Sequence, residues 1–339
     1  MRITVTLYLQ VLLWLCFSNP VPGQAISKPP SVFERLTGDE NAKIQLELNL
    51  DALLNNRRNA EYLQATLSTP DGQAYKLEVR TRGKFRRRKC EIPPIKFKFL
   101  KEELQTQQLD TFNEIKLVLP CSAEPASEDL LIREYLAYRM FESLTPISAR
   151  ARLVRLELKN SKKKRPQKML AMLVEHEEEI AARFQAVPVQ EWGLKADRFQ
   201  TEQVALMILF QYMIGNTDWD LEACRNVLAL KPHDSDKMLA IPFDFDFSGL
   251  VSAPYASPNS QAGIKTVQER SLMPFGVDAA ALRKAKETIM SAKPSLMRWC
   301  EHSLLSEDAV NHANWFLDMF FNKMAASAEI PAIMEAEKK

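Results

Sequence analysis

The chain has 339 residues, of which 46% are hydrophobic and 26% charged, so it can form one large domain or two modest ones. Nine glycines and nineteen prolines exclude a collagen-like repeat or a glycine-rich linker, and the apolar fraction excludes general disorder. Basic residues (45) nearly balance acidic residues (43), which excludes a nucleic-acid binder that relies on bulk charge.

The first 25 residues, 1–25, have the pattern of a signal peptide. An apolar stretch over residues 7–17 is followed by small residues at Gly23 and Ala25, at the offsets that signal peptidase requires. This stretch is shorter than the roughly 20 apolar residues that a spanning helix needs. We therefore expect cleavage near Ala25 and export of the mature chain, periplasmic or secreted, without a membrane anchor.

Alternation of apolar and polar residues predicts that the next part of the chain is rich in strands. The sequence Thr-Pro-Asp-Gly at 69–72 predicts a turn between two of these strands. The strands are predicted to form one antiparallel sheet and lie over residues 44–50, 63–67, 75–81, 92–99 and 115–119.

Apolar residues at helical spacing begin at residue 127 and dominate the second half. Helices are predicted over 127–144, 198–214, 278–292 and 307–326. Further strands are predicted over 150–158, 226–230 and 238–243, and an apolar run covers 169–174. This order predicts two lobes, a strand-rich lobe over 26–190 with one inserted helix and a helical lobe over 191–339. Small-molecule sites tend to lie in the cleft between such lobes.

Removal of the signal peptide leaves four cysteines, Cys90, Cys121, Cys224 and Cys300. An even number in an exported chain permits disulfides, with three possible connectivities. We expect Cys90 and Cys121 to be the bridged pair, because both flank predicted strands of the same lobe. No cysteine or histidine pair has the spacing of zinc ligands.

Most sequence signatures of catalysis are absent, including GxxxxGK[ST], GxGxxG, GxSxG and HExxH. The remaining candidates are polar residues of the second half. Asp218 and Asp220 follow a predicted buried helix, Asn226 opens the next strand, and Asp244 and Asp246 follow the hairpin. We expect Asp244 and Asp246 to share one strand face, where burial is costly unless they bind a cation. Because Mg²⁺ prefers carboxylate and amide oxygens, Asn226, Asp244 and Asp246 are a partial ligand set.

These residues occur in motifs that resemble the atypical kinases of the spore-coat CotH type. The resembling segments are Gly-Asn-Thr-Asp at 215–218 and Ile-Pro-Phe-Asp-Phe-Asp at 241–246. Upstream, Arg82-Gly83, the Lys-bearing strand at 94–99 and the helix at 131–138 resemble further motifs of that family. The likeness runs from about residue 78 to 250. It implies an α+β, two-lobed protein-kinase-like fold with an antiparallel sheet in the N-terminal lobe and a mainly helical C-terminal lobe.

The resemblance also implies a function, the transfer of phosphate from ATP to a hydroxyl of a protein or glycan, with Mg²⁺ or Mn²⁺. Asp218 would orient or deprotonate that hydroxyl, with Asp220 as the competing candidate. Asn226 and Asp244, with Asp246, would hold the metal. The nucleotide phosphates would contact Arg82 and one lysine of the predicted strand, either Lys96 or Lys98, because these two lysines share one strand face. Glu134 would be the carboxylate that pairs with this lysine.

Two alternatives stay open. The basic cluster between Lys76 and Lys101 holds eleven Lys or Arg residues and two Glu, which favours an anionic partner such as a cell-envelope surface. The protein would then be a non-catalytic, kinase-like binding protein. The other alternative is a metal-dependent hydrolase with Asp218, Asp244 and Asp246 as ligands. We expect a monomer and no nucleic-acid partner, and we expect Trp192 and Trp219 to pack in the core or cleft.

Overall fold

A computed structural model describes residues 28–39, 42–163 and 165–327, so the predicted signal peptide lies outside the described residues. Seven strands of the described chain form one sheet: β1 (Lys43–Leu48), β2 (Leu63–Ser68), β3 (Ala74–Thr81), β4 (Ile95–Phe99), β5 (Glu114–Val118), β6 (Ala151–Asn160) and β7 (Gln167–Val174). Short helices lie before or between them: α1 (Val32–Leu36), α2 (Leu50–Asn55), α3 (Arg86–Lys89) and α4 (Lys101–Thr106). A long helix, α5 (Pro125–Leu144), is inserted between β5 and β6.

The seven strands form a closed barrel in the order β1-β2-β3-β4-β5-β7-β6. The first and last strands in this order, β1 and β6, pair in parallel, with Lys43 opposite Arg155. The other pairings of this barrel are antiparallel. The predicted antiparallel sheet is therefore corrected to a barrel, because β1 and β6 join its two edges. Barrel closure leaves no exposed edge strand in this sheet.

Period-two alternation explains which face of each strand fills the barrel. Leu46, Leu77, Phe97 and Leu117 are buried inside it, whereas the residues between them face outward. On β7, Leu170 and Met172 point outward and join the core that contains α5. The outer face of β7 is therefore covered by the helix, while other outward-facing parts of the barrel carry charge.

The second half of the described chain is mainly helical, as predicted. It contains α6 (Glu177–Arg183), α7 (Thr201–Met213), α8 (Ala279–Ser291), α9 (Lys293–Cys300) and α10 (Glu307–Ala326). A small antiparallel sheet has the order β10-β9-β8, from β8 (Ala186–Val189), β9 (Val227–Pro232) and β10 (Leu239–Pro242). Since β8 pairs with β9, this sheet includes chain from both sides of the lobe boundary predicted at residue 190.

The remaining structural expectations have mixed outcomes. Cys90 and Cys121 form a disulfide, which confirms the predicted pair, and Cys224 and Cys300 are free. Trp219 is buried, but Trp192 is 86% exposed, so the prediction that it packs in the core or cleft is wrong. No helix of the described residues is both long enough and apolar enough to cross a bilayer.

A buried cluster of charged side chains joins α1 to α6. Arg150 Nη2 lies 2.8 Å from Oε1 of Glu175 and 2.9 Å from Oε1 of Glu179. Arg183 Nε also contacts Glu175, at 2.7 Å, and the Ser31 hydroxyl donates to Glu179. The second oxygen of Glu179, Oε2, is buried without a hydrogen-bond partner. Burial raises the pKa of Glu179 to about 7, because Ser31 and Arg150 offset only part of the desolvation.

This cluster predicts a pH dependence of stability. The folded state holds the Glu179 proton more tightly than the unfolded chain, so the stabilisation is complete below the unfolded pKa of 4.5 and is lost as the pH rises toward 7. A shift of this size corresponds to roughly 3 kcal/mol. The free energy of unfolding of Glu179→Gln, relative to that of the parent, should therefore rise by up to about 3 kcal/mol from pH 4.5 to pH 7.5. Urea unfolding at both pH values measures this difference. The matched control is Glu178→Gln, an exposed residue of the same helix. Parallel pH curves for Glu179→Gln and the parent would contradict the prediction.

Candidate functional site

Asp218 lies in the loop after α7, and the side chain of Asn216 holds the backbone of this loop in place. Asn216 is buried and its amide donates to Gln211 Oε1 at 3.0 Å. The oxygen Asn216 Oδ1 accepts from the Asp218 backbone N–H at 3.0 Å. Gly215 has a φ of 64°, a conformation that glycine adopts without a steric penalty. The Gly-Asn-Thr-Asp sequence thus folds as a compact turn that fixes the Asp218 backbone.

Asn226 lies against Asp218 at the start of the next strand. Its amide Nδ2 donates to the Asp218 carbonyl oxygen at 2.6 Å and to Asp218 Oδ2 at 3.0 Å. With both contacts made by the NH₂ group, the amide oxygen Oδ1 is directed elsewhere. Burial raises the pKa of Asp218, and Arg225, whose Nε lies 3.8 Å from Oδ1, offsets part of this shift. The structure therefore brings Asp218 and Asn226 together.

Asp220 has a different environment. Its Oδ1 accepts from the Ala223 backbone N–H at 3.1 Å, and its backbone pairs with Arg225 in an isolated bridge. The Asp220 carboxylate therefore shapes the loop between Asp218 and Asn226.

Asp244 follows β10, which ends at Pro242, and it has a φ of 63°. The prediction that Asp244 and Asp246 share a strand face is wrong, because this left-handed residue ends the extended backbone. The Asp244 backbone N–H donates to the Tyr138 hydroxyl at 2.9 Å, and the preceding Phe243 N–H donates to the Asn226 carbonyl at 3.0 Å. In the described structure the Asp244 carboxylate makes no hydrogen bond or ion pair.

Asp246 points to a buried guanidinium. Arg86 Nε lies 2.7 Å from Asp246 Oδ2, and Arg86 Nη2 donates to Glu134 Oε2 on α5. The prediction that Glu134 pairs with a lysine of β4 is therefore wrong, since its partner is Arg86. Burial raises the pKa values of Glu134 and Asp246, because one arginine offsets only part of the desolvation of two carboxylates.

The two lysines of β4 share the outward strand face, as predicted, but they have different surroundings. Lys96 Nζ lies 2.6 Å from Glu114 Oε2, and the same oxygen lies 2.8 Å from His176 Nε2. Lys98 Nζ lies 3.8 Å from Glu78 Oε2, and its side chain is 43% exposed. Lys98 is therefore a solvated surface residue.

The structure adds a lysine that the sequence motifs did not single out. Lys116 on β5 is buried, with Nζ 2.7 Å from Glu177 Oε1 and 4.9 Å from the centre of the Phe243 ring. Burial lowers the pKa of Lys116, Glu177 and Asp244 raise it, and Arg82 lowers it. Lys116 therefore lies in the electrostatic field of both Asp244 and Arg82. The available signal was a lysine within the otherwise apolar strand at 115–119.

Three cations lie side by side across neighbouring strands. Arg80 is the register partner of Lys96, and Lys96 is the partner of Lys116. Like charges directly opposite each other destabilise a sheet. The Nε of Arg80 is buried without a hydrogen-bond partner, although the guanidinium lies 5.1 Å from the centre of the Tyr62 ring. Glu114 and Glu177 offset the charges of Lys96 and Lys116, so the row of Arg80, Lys96 and Lys116 with its carboxylate partners keeps a net positive charge of about one, which favours an anion.

The donor set near Asp218 partly fits a divalent cation. The Asp244 carboxylate and Asn226 Oδ1 are hard oxygen donors without protein partners in the described structure, and Mg²⁺ is often held by one or two such groups with substrate phosphates. Asp246 does not fit, because its oxygen is paired with Arg86. No group of three or more His, Cys, Asp and Glu in the described chain has metal-binding geometry. Asp218, Asp244 and Asp246, the ligands of the alternative metal-dependent hydrolase, therefore do not form a metal site in the described chain.

Gly215 and Gly249 allow α10 to pack closely against the loops that carry Asp218 and Asp246. The Gly249 N–H donates to the Gly215 carbonyl at 3.1 Å. A Cβ on Gly215 would lie 2.8 Å from Phe316 Cζ of α10, and one on Gly249 would lie 2.4 Å from the same atom. The ring of Phe316 therefore packs directly against the backbone of the loops that carry Asp218 and Asp246.

Two large cavities lie away from these residues. One of about 710 Å³ is lined by residues that include Leu54, Ser122 and Lys163, and one of about 580 Å³ by residues that include Lys43, Ile132 and Leu304. Neither is lined by Asp218 or Asp244.

Comparisons with known proteins leave the family open. No protein-family model and no curated protein matches the chain. Among solved structures, the proinflammatory kinase CtkA of Helicobacter pylori is similar with a TM-score of 0.39 and 11% identity, over 71% of this chain and 94% of that chain. These values are too low to assign a fold family or an activity. The resemblance to CotH-type kinases therefore depends on the sequence motifs alone.

The close packing at Gly249 predicts a steric effect. Gly249→Ala should lower the free energy of unfolding by about 1–3 kcal/mol, because the added methyl group would lie 2.5 Å from the Val267 carbonyl oxygen as well as against Phe316. Chemical denaturation measures this change. Gly38→Ala is the control, since its Cβ would meet only the Glu34 carbonyl at 3.5 Å. Equal stabilities of the two variants would contradict this close packing.

Proposed function

We propose that this protein is a kinase-like phosphotransferase, which transfers the terminal phosphoryl group of ATP to a hydroxyl of a protein or glycan. One observation carries the proposal: Asp218 and Asn226 contact each other, Phe243 next to Asp244 bonds to the Asn226 carbonyl, and Lys116 of the barrel lies 4.9 Å from the centre of the Phe243 ring. Phosphoryl transfer depends mainly on positioning and charge neutralisation, which such a group of residues supplies.

In this proposal Asn226 Oδ1 and the Asp244 carboxylate hold Mg²⁺ or Mn²⁺. When bound, the metal neutralises charge on the phosphate oxygens. Asp246 is reassigned from metal ligand to partner of Arg86, which ties the 244–246 segment to α5 through Glu134.

The nucleotide phosphates are assigned to the cationic row. Lys116 lies beside Phe243, the residue before Asp244, Lys96 and Arg80 follow on the neighbouring strands, and Arg82 comes directly after β3. Lys98 is left out because its side chain is exposed and lies beside Glu78.

Asp218 is assigned to the acceptor hydroxyl. Its Oδ2 is held by the Asn226 amide, and burial raises its pKa, which favours proton acceptance when the hydroxyl attacks. Asp220 is the weaker candidate, because its carboxylate is engaged within the loop.

We also propose export of the protein. The signal-like sequence of residues 1–25 supports this, and the Cys90–Cys121 disulfide is typical of oxidising compartments.

A second candidate function is binding of an anionic cell-envelope partner without catalysis. One observation favours it: Lys84 and Lys89 are exposed between β3 and β4 and have no ion pair in the described structure. Unpaired cations concentrate anions locally, whatever the charge of the whole chain.

Substitution of the acidic residues tests the catalytic proposal. Asp244→Ala should weaken Mg²⁺-dependent ATP binding by at least about tenfold, since a metal bridge acts in the ground state as well as the transition state. Asp218→Ala should leave binding within about twofold and lower turnover by about 10² to 10⁴. Calorimetric titration and release of phosphate from ATP measure the two quantities. Asp246→Asn is the comparison, because it weakens the contact with Arg86 without removing a metal ligand. It should lower stability and ATP affinity but leave the dependence of the remaining binding on Mg²⁺ concentration as in the parent. If the parent binds no ATP at any Mg²⁺ concentration, the anionic-surface function becomes the better account.

A matched pair of lysines tests the phosphate assignment. Lys116→Met should weaken ATP binding by about tenfold or more, because it removes a charged donor of about 1.5–3 kcal/mol. Lys98→Met removes the same charge from an exposed position of the neighbouring strand and should have little effect. The same titration measures both variants. Equal losses would indicate a general effect of net charge and would contradict the assignment of Lys116.

A further inference from the structure

The Cys90–Cys121 disulfide is directly connected to the buried arginine of the candidate site. Arg86 is the first residue of α3, and the Cys90 N–H donates to the Arg86 carbonyl at 2.9 Å. The residue after Cys90, Glu91, donates its N–H to the Cys121 carbonyl at 2.8 Å. The turn that carries Arg86 is thereby attached, covalently and by a hydrogen bond, to the chain just before α5.

The other side of the connection leads to Glu134. Ser122, next to Cys121, donates its N–H to the Ser127 hydroxyl in the first turn of α5, at 3.3 Å. Glu134 lies further along this helix and accepts from Arg86. Disulfide, helix and ion pair therefore form one closed ring that runs from Arg86 through Cys90, Cys121 and Glu134 back to Arg86.

The α3 turn is weak when judged by its own sequence. It is four residues long, all four are basic, and it has no side-chain hydrogen bond at its N-cap. A single isolated turn is unstable in water, and neighbouring like charges weaken it further. Its other described supports are Arg57, which donates to the carbonyl oxygens of Cys90 and Glu91 at 3.2 and 3.0 Å, and the N-cap residue Phe85, whose ring centre lies 5.4 Å from that of Phe247 and 5.7 Å from that of Tyr255.

We infer that the Cys90–Cys121 disulfide positions Arg86, so that the Glu134–Arg86–Asp246 connection is complete only in the oxidised protein. Arg86 is a positioning residue, because it contacts the loop of Asp244 through Asp246. A dithiol would reverse the arrangement: two electrons and two protons pass to the cystine, the S–S bond breaks, two thiols form and the dithiol becomes a cyclic disulfide. The consequence for nucleotide binding rests on the proposed function.

The first arm of the experiment measures the position of the turn and needs no nucleotide. Hydrogen exchange of the amides at 86–91 is compared in the parent before and after treatment with dithiothreitol, and in the double variant Cys90→Ser, Cys121→Ser. Exchange should accelerate at least tenfold in the reduced parent and the double variant. It should recover on reoxidation of the parent. The control is Cys224→Ser, Cys300→Ser, which removes the free thiols and should respond to dithiothreitol as the parent does. Unchanged protection in the reduced, still folded parent would overturn the inference.

The second arm uses Mg²⁺-dependent ATP binding and separates an effect through Arg86 from a general loss of structure. Arg86→Gln should weaken binding about tenfold in the parent and less than twofold in the Cys90→Ser, Cys121→Ser background, because the turn is already displaced there. Arg86→Lys should restore part of the affinity in the parent only. Arg58→Gln, an exposed arginine, is the control. Additive losses would overturn the inference even if the first arm succeeds. A parent that binds no ATP would overturn the proposed function, and the first arm alone would then decide the inference.

Discussion

The guanidinium of Arg86 is buried between carboxylates that come from distant parts of the chain. Its two partners, Glu134 and Asp246, belong to α5 and to the segment after β10. Burying these charges costs several kcal/mol per ion, and apolar residues of similar volume often stabilise a core as well or better. The arrangement is therefore better explained by the geometry that it imposes. Glu134 and Tyr138 are four residues apart on one face of α5, and each holds the 244–246 segment, Glu134 through Arg86 and Tyr138 through the Asp244 N–H.

The same segment is supported from the opposite direction by α10. Phe316 packs where a side chain on Gly215 or Gly249 would clash. It thus fixes the spacing between the loop of Asp218 and the segment of Asp246. Helix α10 lies outside residues 78–250, the part of the sequence that holds the motifs from which the site was predicted, yet the positions of both loops depend on it. Local motifs specify the polar residues of this site, and a distant aromatic residue specifies how closely they approach.

The sequence predicted the features that depend on local periodicity and failed on those that depend on distant contacts. Alternation located β1 to β5, and helical spacing located α5, α7, α8 and α10, because these signals lie within one element. Closure of the barrel depends on pairing of Lys43 with Arg155, which no local pattern encodes. The order of motifs brought Asp218, Asn226 and Asp244 together as candidates. The partner of Glu134 was missed because Arg86 stands among several basic neighbours that the sequence cannot rank by burial.

The charges around Asp244 limit what can bind beside it. Side-chain exposure falls from 43% at Lys98 to 18% at Lys96 and 9% at Lys116, so the cations become more desolvated toward Asp244. A lower local dielectric strengthens the attraction of an anion to Lys116 and also its repulsion by the Glu177 carboxylate, which lies 2.7 Å from Lys116 Nζ. It equally strengthens the repulsion of that anion by Asp244, whose carboxylate has no cationic partner in the described structure. A polyphosphate can therefore occupy both places only if a cation accompanies it, which is the physical reason why the nucleotide binding that we propose should depend on a divalent metal.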